Sequence, residues 1–363
     1  MAECRSLGVR GVLDPALFDL PLPPRTPGSA RVETVCSGFS AGTELAYVKG
    51  TAPDFTRSRD PDLGVFLPGG GTRAYPVTAM GYMEVARVVD SDRPDLPAGA
   101  LVAAAYGHRT AHVLPAGALA VPLPDGLDPL LGVYVAQLGP ICANGLLHAA
   151  AEASRGEVPG LGDGVRDRHV LVTGGGVVGL LTALFAVAHG AAAVALADPD
   201  PGRLAAAAAL GAEPVDTRTV ETWRWCKERW RHGPGDRGAD LAFQCRGRAA
   251  VLHEALRALR PQGTVVDLAF YQGGAAELRL GDEFHHNGLT VRCAQIGRVP
   301  RGLAPAWDLR RLAAETVALL AERGGLVRRH LVTDVVPLDE GPPLVAALAR
   351  RERAALGVVF TVG

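Results

Sequence analysis

Residues 170–197 read VLVTGGGVVGLLTALFAVAHGAAAVALA, without a single Asp, Glu, Lys or Arg. A run of that length can span a bilayer. It therefore forces a choice between a membrane helix and a soluble unit with several buried elements. Gly174, Gly175 and Gly176 stand together inside it, and each glycine in a helix interior costs about 1 kcal/mol relative to alanine. As soluble structure the run divides cleanly. HVLVTG suits a short buried parallel strand, VVGLLTALFAVAHG a helix that stops at Gly190, and AAVALAD a second buried strand ending at Asp198. A β-α-β unit explains the missing charge, and the membrane reading is set aside.

The turn between the first strand and the helix spells G-x-G-x-x-G as Gly174, Gly175, Gly176, Val177, Val178 and Gly179. The first glycine allows the tight turn, the second lets backbone amides approach a pyrophosphate, and the third lets helix and strand pack closely. The anion rests on the helix N-terminus, where free N–H groups and the dipole favour negative charge. The motif gains weight from its context, since it follows a strand, opens a helix and precedes an acid, Asp198, by about 20 residues. A carboxylate there accepts from ribose hydroxyls and repels a 2′-phosphate, so NAD is expected; Arg203 lies near enough to keep NADP open. Further α/β units follow in GADLAFQCRG, AVLHEALRALRPQG, TVVDLAF and LTVRCAQI. The loops after such strands flank the nicotinamide in open α/β sheets, which adds Cys245, Ala269 and Phe270 to the expected coenzyme contacts.

Size and charge narrow the class. With 363 residues, 48% hydrophobic content and a net charge of −1, the chain suits a two-domain globular protein rather than a nucleic-acid binder. The basic stretch WRWCKERWRHGPGDR is balanced by acids and reads as a solvated helix and loop. Six scattered cysteines without a C-x-x-C pair suggest reduced thiols, and the first residues show no secretory pattern, so a cytoplasmic location is expected. The abundance of Ala, Arg, Gly and Pro points to a GC-rich bacterial genome and suggests a role in secondary metabolism.

Residues 1–135 have another texture. Short β-like pieces (RVETVCSG, MEVARVVDSD, ALVAAAYG, AHVLPAG, LAVPLP) are punctuated by Gly and Pro, which suggests a barrel-like all-β domain. Beyond about residue 300 helix and strand alternate: LRRLAAETVALLAER, RRHLVTDVVPL, EGPPLVAALARRE and LGVVFTV. With VLVTGGGVVGLL, LADPDPGRLAAAAALGAEPVD, GADLAFQCRG, ALRPQGTVV, SGFSAGTELAYVKG and MGYMEVARVVDSD, the chain resembles the medium-chain dehydrogenase/reductase superfamily over essentially its whole length. The GFSAGTE segment is similar to the branch that contains threonine dehydrogenase and bacteriochlorophyllide a dehydrogenase. The resemblance implies an α/β chain with a GroES-like β-barrel catalytic domain (1–138), a Rossmann domain with a doubly wound parallel sheet (139–298) and a C-terminal return to the catalytic domain (299–363). It also implies an active site between the domains, NAD(P)-dependent hydride transfer on a small-molecule substrate, and a homodimer or homotetramer.

Many relatives hold a catalytic zinc, and each expected ligand position departs from the pattern here. Where the family has G-I-C-G-T-D, the chain reads GFSAGTE, with Ser40 or Ala41 in place of the thiolate. Where it has G-H-E, the chain reads Gly81, Tyr82, Met83; near the third ligand stands only Cys142. Zinc needs about three thiolate, imidazole or carboxylate donors, so no zinc is expected and no other metal is assigned. Tyr82, in the place of a lost ligand, becomes the candidate proton donor to a carbonyl or enolate oxygen. Thr43 aligns with the family's relay hydroxyl, while the relay histidine position is Ala46. Ser40 and Glu44 share what reads as a loop, followed by Tyr47 and Lys49, and His108 is a further acid/base candidate. His108 and His112 fall on one face of a regular strand. His285 and His286, read as adjacent strand residues, face opposite ways and do not chelate together. Arg298 and Arg301 lie on a loop expected to lead back toward the catalytic domain. The expected activity is zinc-independent hydride transfer to or from an alcohol/ketone carbon or a conjugated enone. The alternative is a catalytically inactive coenzyme-binding sensor or structural protein.

Overall fold

The computed structural model describes residues 3–67, 69–154 and 156–363. It divides the chain into two units, Met1–Gln137 with Val332–Gly363, and Leu138–Leu331. The first is a GroES-like β-barrel and the second a Rossmann unit.

Strand Ala30–Phe39 organises the first unit. It pairs with Glu84–Ser91 along its length, with Ala111–Leu114 through its first half and with Gly357–Thr361 through its second. The strand alternates buried and less buried residues at first, then is buried continuously from Cys36 to Phe39. Val32, Ala86, Val88, Val102, Leu114 and Ala120 fill one core, and Leu7, Phe39, Val48, Leu344 and Phe360 another. Each fully buried Val or Leu side chain contributes roughly 1.5–3 kcal/mol.

The segment read as a loop around Ser40 is a helix, Ala41–Lys49. Glu44 reaches back to accept a hydrogen bond from the Ser40 N–H at 2.7 Å, much as a capping box does. The helix ends on Gly50 at φ 71, the left-handed C-terminal conformation glycine favours. Ser40 followed by Glu44, with Lys49 and Gly50 behind, was the legible signal.

The second unit holds a parallel six-stranded sheet. Its order is Glu213–Asp216, Ala193–Asp198, His169–Thr173, Ala239–Gln244, Leu259–Asp267, Thr290–Cys293. In sequence order that is 3-2-1-4-5-6, the doubly wound arrangement with its crevice at the reversal point. The uncharged run is strand His169–Thr173, helix Val177–Ala188 and strand Ala193–Asp198. Among the described residues no helix is long and apolar enough to cross a membrane.

Three expectations need correction. The return to the first unit begins at Val332, not 299, because residues 299–331, including helix Leu309–His330, are part of the second unit. That helix packs on Leu138–Ala153, where a Cβ on Gly139 would meet Thr316 at 2.1 Å. The loop carrying Arg298 and Arg301 accordingly leads into this helix. The basic stretch around Trp225, expected as a solvated helix and loop, forms the helix but not the loop, and it is not solvated throughout. Helix Thr222–Arg229 is followed by a hairpin of Arg231–Gly233 and Asp236–Arg237, and Cys226 and Trp230 are core residues. Its charges mark the outer face of an element whose inner face is apolar.

Candidate functional site

Because the six strands run parallel, all their C-terminal ends reach one edge of the sheet, and the expected coenzyme residues gather there. Gly174 takes φ 96, and a Cβ on it would meet Arg246 Cβ at 3.0 Å, so the glycine turn abuts the loop after Gln244. A Cβ on Gly179 would lie 1.8 Å from the Gly174 carbonyl oxygen, the close helix–strand approach that requires glycine. On Gly175 a Cβ would crowd Arg203, Leu196 and Asp198. On Gly176 it would meet nothing within 4 Å. The free space thus lies at the residue preceding helix Val177–Ala188, whose first N–H groups have no partner within the helix. Val177 and Val178 supply the first turn. This cradle fits a dinucleotide pyrophosphate.

Asp198 is nearly buried and held in place. Its Oδ2 accepts from the Gly175 N–H at 2.7 Å, its Oδ1 accepts from the Asp200 N–H at 2.9 Å, and an Arg203 guanidinium nitrogen stands 3.7 Å from Oδ2. The acid expected to read the ribose therefore also ties the glycine turn to the next strand end. Cys245 follows strand Ala239–Gln244, with its N–H bonded to the Thr173 carbonyl at 2.9 Å. The Ala269 N–H donates to Asp267 Oδ1 at 2.9 Å, and Phe270 is exposed on the same edge. A network missed by sequence reasoning lies beneath. Thr173 donates to Gln244 Oε1 at 2.5 Å, and Tyr271 donates to Asp267 Oδ2 at 2.9 Å. Burial pushes both the Asp267 carboxyl and the Tyr271 phenol above their usual pKa ranges. Nothing short-range in the sequence announces a network drawn from three strand ends.

In the first unit the structure brings Tyr82, Ser40 and Thr43 together. The Tyr82 hydroxyl is 2.5 Å from Ser40 Oγ and donates to Thr43 Oγ1 at 3.2 Å. Ser40 occupies the helix N-cap, yet makes no side-chain cap bond, so its hydroxyl is left for the tyrosine. Burial raises the Tyr82 phenol above its usual value, outweighing the lowering by Ser40 and Thr43.

His108 and Glu44 stand behind this cluster, closed off from solvent. His108 Nε2 is 2.8 Å from Glu44 Oε2, and its Nδ1 is 2.8 Å from Ser37 Oγ. Ser37 and His108 are 0% exposed and Glu44 1%. With both ring nitrogens engaged and no exposed edge, His108 has no access to a substrate in this geometry. The same burial keeps Ser37, His108 and Glu44 from working as the nucleophile–base–acid set they mimic. Glu44 connects inward and outward, because its Oε1 takes the Ser40 N–H. Ser37 is a missed member of this group. Replacing His108 by alanine leaves Ser37 Oγ and Glu44 Oε2 buried without their histidine partner and should destabilise the fold by about 3 kcal/mol, measured by denaturant unfolding.

Other candidates are dispersed. His112 does not share a face with His108: its Nε2 is 2.5 Å from Glu84 Oε2 and its ring stacks on Tyr106 at 3.7 Å. His108 instead precedes the strand Ala111–Leu114. His285 and His286 lie in a helical turn rather than a strand, their ring centroids 5.4 Å apart. Arg298 and Arg301 are exposed and Lys49 is half-buried, while Tyr47 donates to Asp54 Oδ2 at 3.0 Å. Cys142 is buried on helix Leu138–Ala153, its thiol directed to the Val178 carbonyl and its pKa raised to about 12 by burial. Among the described residues of the first unit, no three His, Cys, Asp or Glu side chains converge as a metal would need. The neutral hydroxyls of Ser40, Thr43 and Tyr82 do not fit a catalytic zinc.

A glycine cradle at the switch point of a doubly wound sheet, joined in one chain to a GroES-like barrel, defines a dinucleotide-binding α/β protein of two units. Residues 177–310 match the family described as zinc-binding dehydrogenase. D-guloside 3-dehydrogenase of Escherichia coli (strain K12) is 29% identical over 189 residues, 49% of this chain and 52% of that protein. The chain thus spans about half the length of the curated relatives it matches. Among solved structures, alcohol dehydrogenase TADH from Thermus sp. ATN1 superposes with a TM-score of 0.76 at 21% identity, covering 99% of this chain and 100% of that one. A structure described as a short chain alcohol dehydrogenase from E. coli CFT073 complexed with cofactor NADH gives 0.73 at 16% identity, covering 99% and 100%. The family match is confined to residues 177–310, within the second unit, and the solved structures share the fold over the whole chain.

Proposed function

We propose that the chain is a nicotinamide-dependent oxidoreductase that works without a catalytic zinc. It interconverts a secondary alcohol and a ketone on a small or medium-sized organic molecule. The observation that carries the coenzyme is the open space at Gly176, at the helix N-terminus, beside an acid fixed at the next strand end. Gly174, Gly175, Gly176, Val177, Val178 and Gly179 hold the pyrophosphate, and Asp198 with Arg203 takes the adenosine ribose. NAD(H) is preferred because the buried carboxylate of Asp198 opposes a 2′-phosphate. The bound nicotinamide supplies or accepts the hydride.

Tyr82 acts on the substrate oxygen. Kept protonated by burial, its phenol donates a proton as negative charge develops on that oxygen. Ser40 and Thr43 then turn their hydroxyls to donate to the phenolate, which spreads the charge. Glu44 and His108 hold the Ser40 backbone in place and do not touch the substrate. The names of the relatives, D-guloside 3-dehydrogenase and alcohol dehydrogenases, favour alcohol/ketone chemistry over alkene reduction.

The test follows consumption of NADH and NADPH against ketones, sugar-derived ketones, quinones and enones. Turnover confined to enones would overturn the alcohol/ketone assignment. Silence across the panel with intact coenzyme binding would leave the non-catalytic sensor. Asp198→Asn is expected to weaken NADH binding roughly 10- to 100-fold, the equivalent of one charge-assisted hydrogen bond. It should also narrow the preference over NADPH, and an unchanged preference by calorimetry would remove Asp198 from the ribose site.

A further inference from the structure

At the opposite edge of the Rossmann sheet, where the strands begin, a second set of donors converges. His169 opens the strand His169–Thr173, Asp240 lies at the start of the adjoining strand Ala239–Gln244, and His232 sits on the hairpin strand Arg231–Gly233. One donor atom from each residue lies within 4.8 Å of the other two. His169 Nδ1 is 3.7 Å from Asp240 Oδ2, and His232 Nε2 is 4.0 Å from Asp240 Oδ1. His169 Nδ1 is buried and has no hydrogen-bond partner, an unsatisfied group that a fold normally avoids.

The surroundings hold these donors in place. The His169 ring stacks on Trp230 with centroids 5.2 Å apart. Asp240 Oδ2 accepts from the His169 backbone N–H at 2.8 Å, and its Oδ1 accepts from Arg260 at 2.6 Å. Arg260 thereby orients the carboxylate as outer partners orient metal ligands. Its own charge is offset by Asp236, which it also binds.

We propose that His169, His232 and Asp240 form a binding site for a divalent transition metal, with zinc the fitting ion. Two imidazoles and one carboxylate suit zinc, cobalt or nickel, whereas calcium and magnesium take oxygen donors. Tetrahedral zinc with bonds of about 2.1 Å sets its donors about 3.4 Å apart, so binding draws this set inward by up to roughly 1 Å. His232 Nε2 now lies 3.0 Å from the Gly238 carbonyl, so ligation moves its proton away from that nitrogen. Water completes the shell. The ion pins the 231–237 hairpin to the sheet. It is structural rather than catalytic, since the five-residue strand His169–Thr173 places it roughly 13 Å from the coenzyme edge. Zinc found in purified protein therefore does not by itself imply a zinc in the first unit.

The test uses the full chain stripped with a chelator and titrated with zinc by calorimetry. One equivalent should bind and raise the thermal midpoint, and nitrogen NMR of the wild-type histidine rings should show His169 Nδ1 and one His232 nitrogen shifting together. A His169→Gln/His232→Gln variant should lose at least about 100-fold in zinc affinity while keeping its NADH affinity and turnover. The absence of zinc binding to the wild type, or unshifted His169 and His232 rings in zinc-loaded protein, would overturn the site. Because the NMR needs no substitution, a variant that fails to fold leaves the outcome decidable. Loss of the oxidoreductase reading would show instead as absent NADH binding or turnover, which these measurements record separately.

Discussion

Tyr82→Phe should lower turnover by about 10²- to 10³-fold, the usual contribution of a positioned proton donor, while coenzyme affinity stays at the wild-type level. Phenylalanine keeps the ring and its packing, so the substitution removes only the hydroxyl that Ser40 Oγ approaches at 2.5 Å and that donates to Thr43 at 3.2 Å. The stability cost is that of one hydrogen bond, about 1 kcal/mol. The pH profile gives an independent check. Burial raises the phenol above its ordinary value of 10.0, so the donor form is complete below that pH and is lost only as pH rises through the elevated value. The wild-type ketone reduction should therefore show no limb from this group across the neutral range. Steady-state rates at saturating NADH decide the matter, and an unchanged kcat in the phenylalanine variant would remove Tyr82 as donor.

A pair of glycine substitutions should separate coenzyme binding from folding. Gly176 has φ −73 and ψ 178, extended backbone that any residue adopts, and a Cβ there meets nothing within 4 Å. Gly176→Ala should leave stability within about 0.5 kcal/mol of wild type, yet weaken NADH binding roughly 10- to 100-fold because the methyl occupies the space assigned to the pyrophosphate. Gly179→Ala places its methyl 1.8 Å from the Gly174 carbonyl oxygen, so the turn itself must open. That overpacking costs about 2–3 kcal/mol, a fall of roughly 4–12 °C in thermal midpoint, with coenzyme binding lost alongside. Calorimetric affinity and thermal unfolding measured on both variants give the contrast. If Gly176→Ala binds NADH as tightly as wild type, the pyrophosphate does not lie where the motif suggests.

Legibility in the sequence followed the range of the interactions involved. The glycine turn, its flanking strands and helix, and Asp198 lie within one β-α-β unit, so their spacing and hydrophobic pattern were enough to find them. The helix Ala41–Lys49 was missed although its signal was local, because Gly42 and Thr43 read as loop residues while the reach of Glu44 back to Ser40 went unread. Read from the sequence as an acid/base candidate, His108 gives no sign of its partners Glu44 and Ser37. Those partners stand 64 and 71 residues away in sequence.

The sequence by itself determined the β-α-β elements around residues 169–198 and the dinucleotide turn, since each depends on residue types within a few turns of chain. Only the tertiary structure decided which side chains meet. Tyr82 finds Ser40 across 42 residues, and His169, His232 and Asp240 converge from two strand starts and a hairpin, because strand order and register bring them together. Local propensity ends within a turn or two of backbone, whereas burial and hydrogen-bond partners depend on how distant strands are ordered, and this is why His108 is enclosed while Tyr82 stays within reach of Ser40 and Thr43.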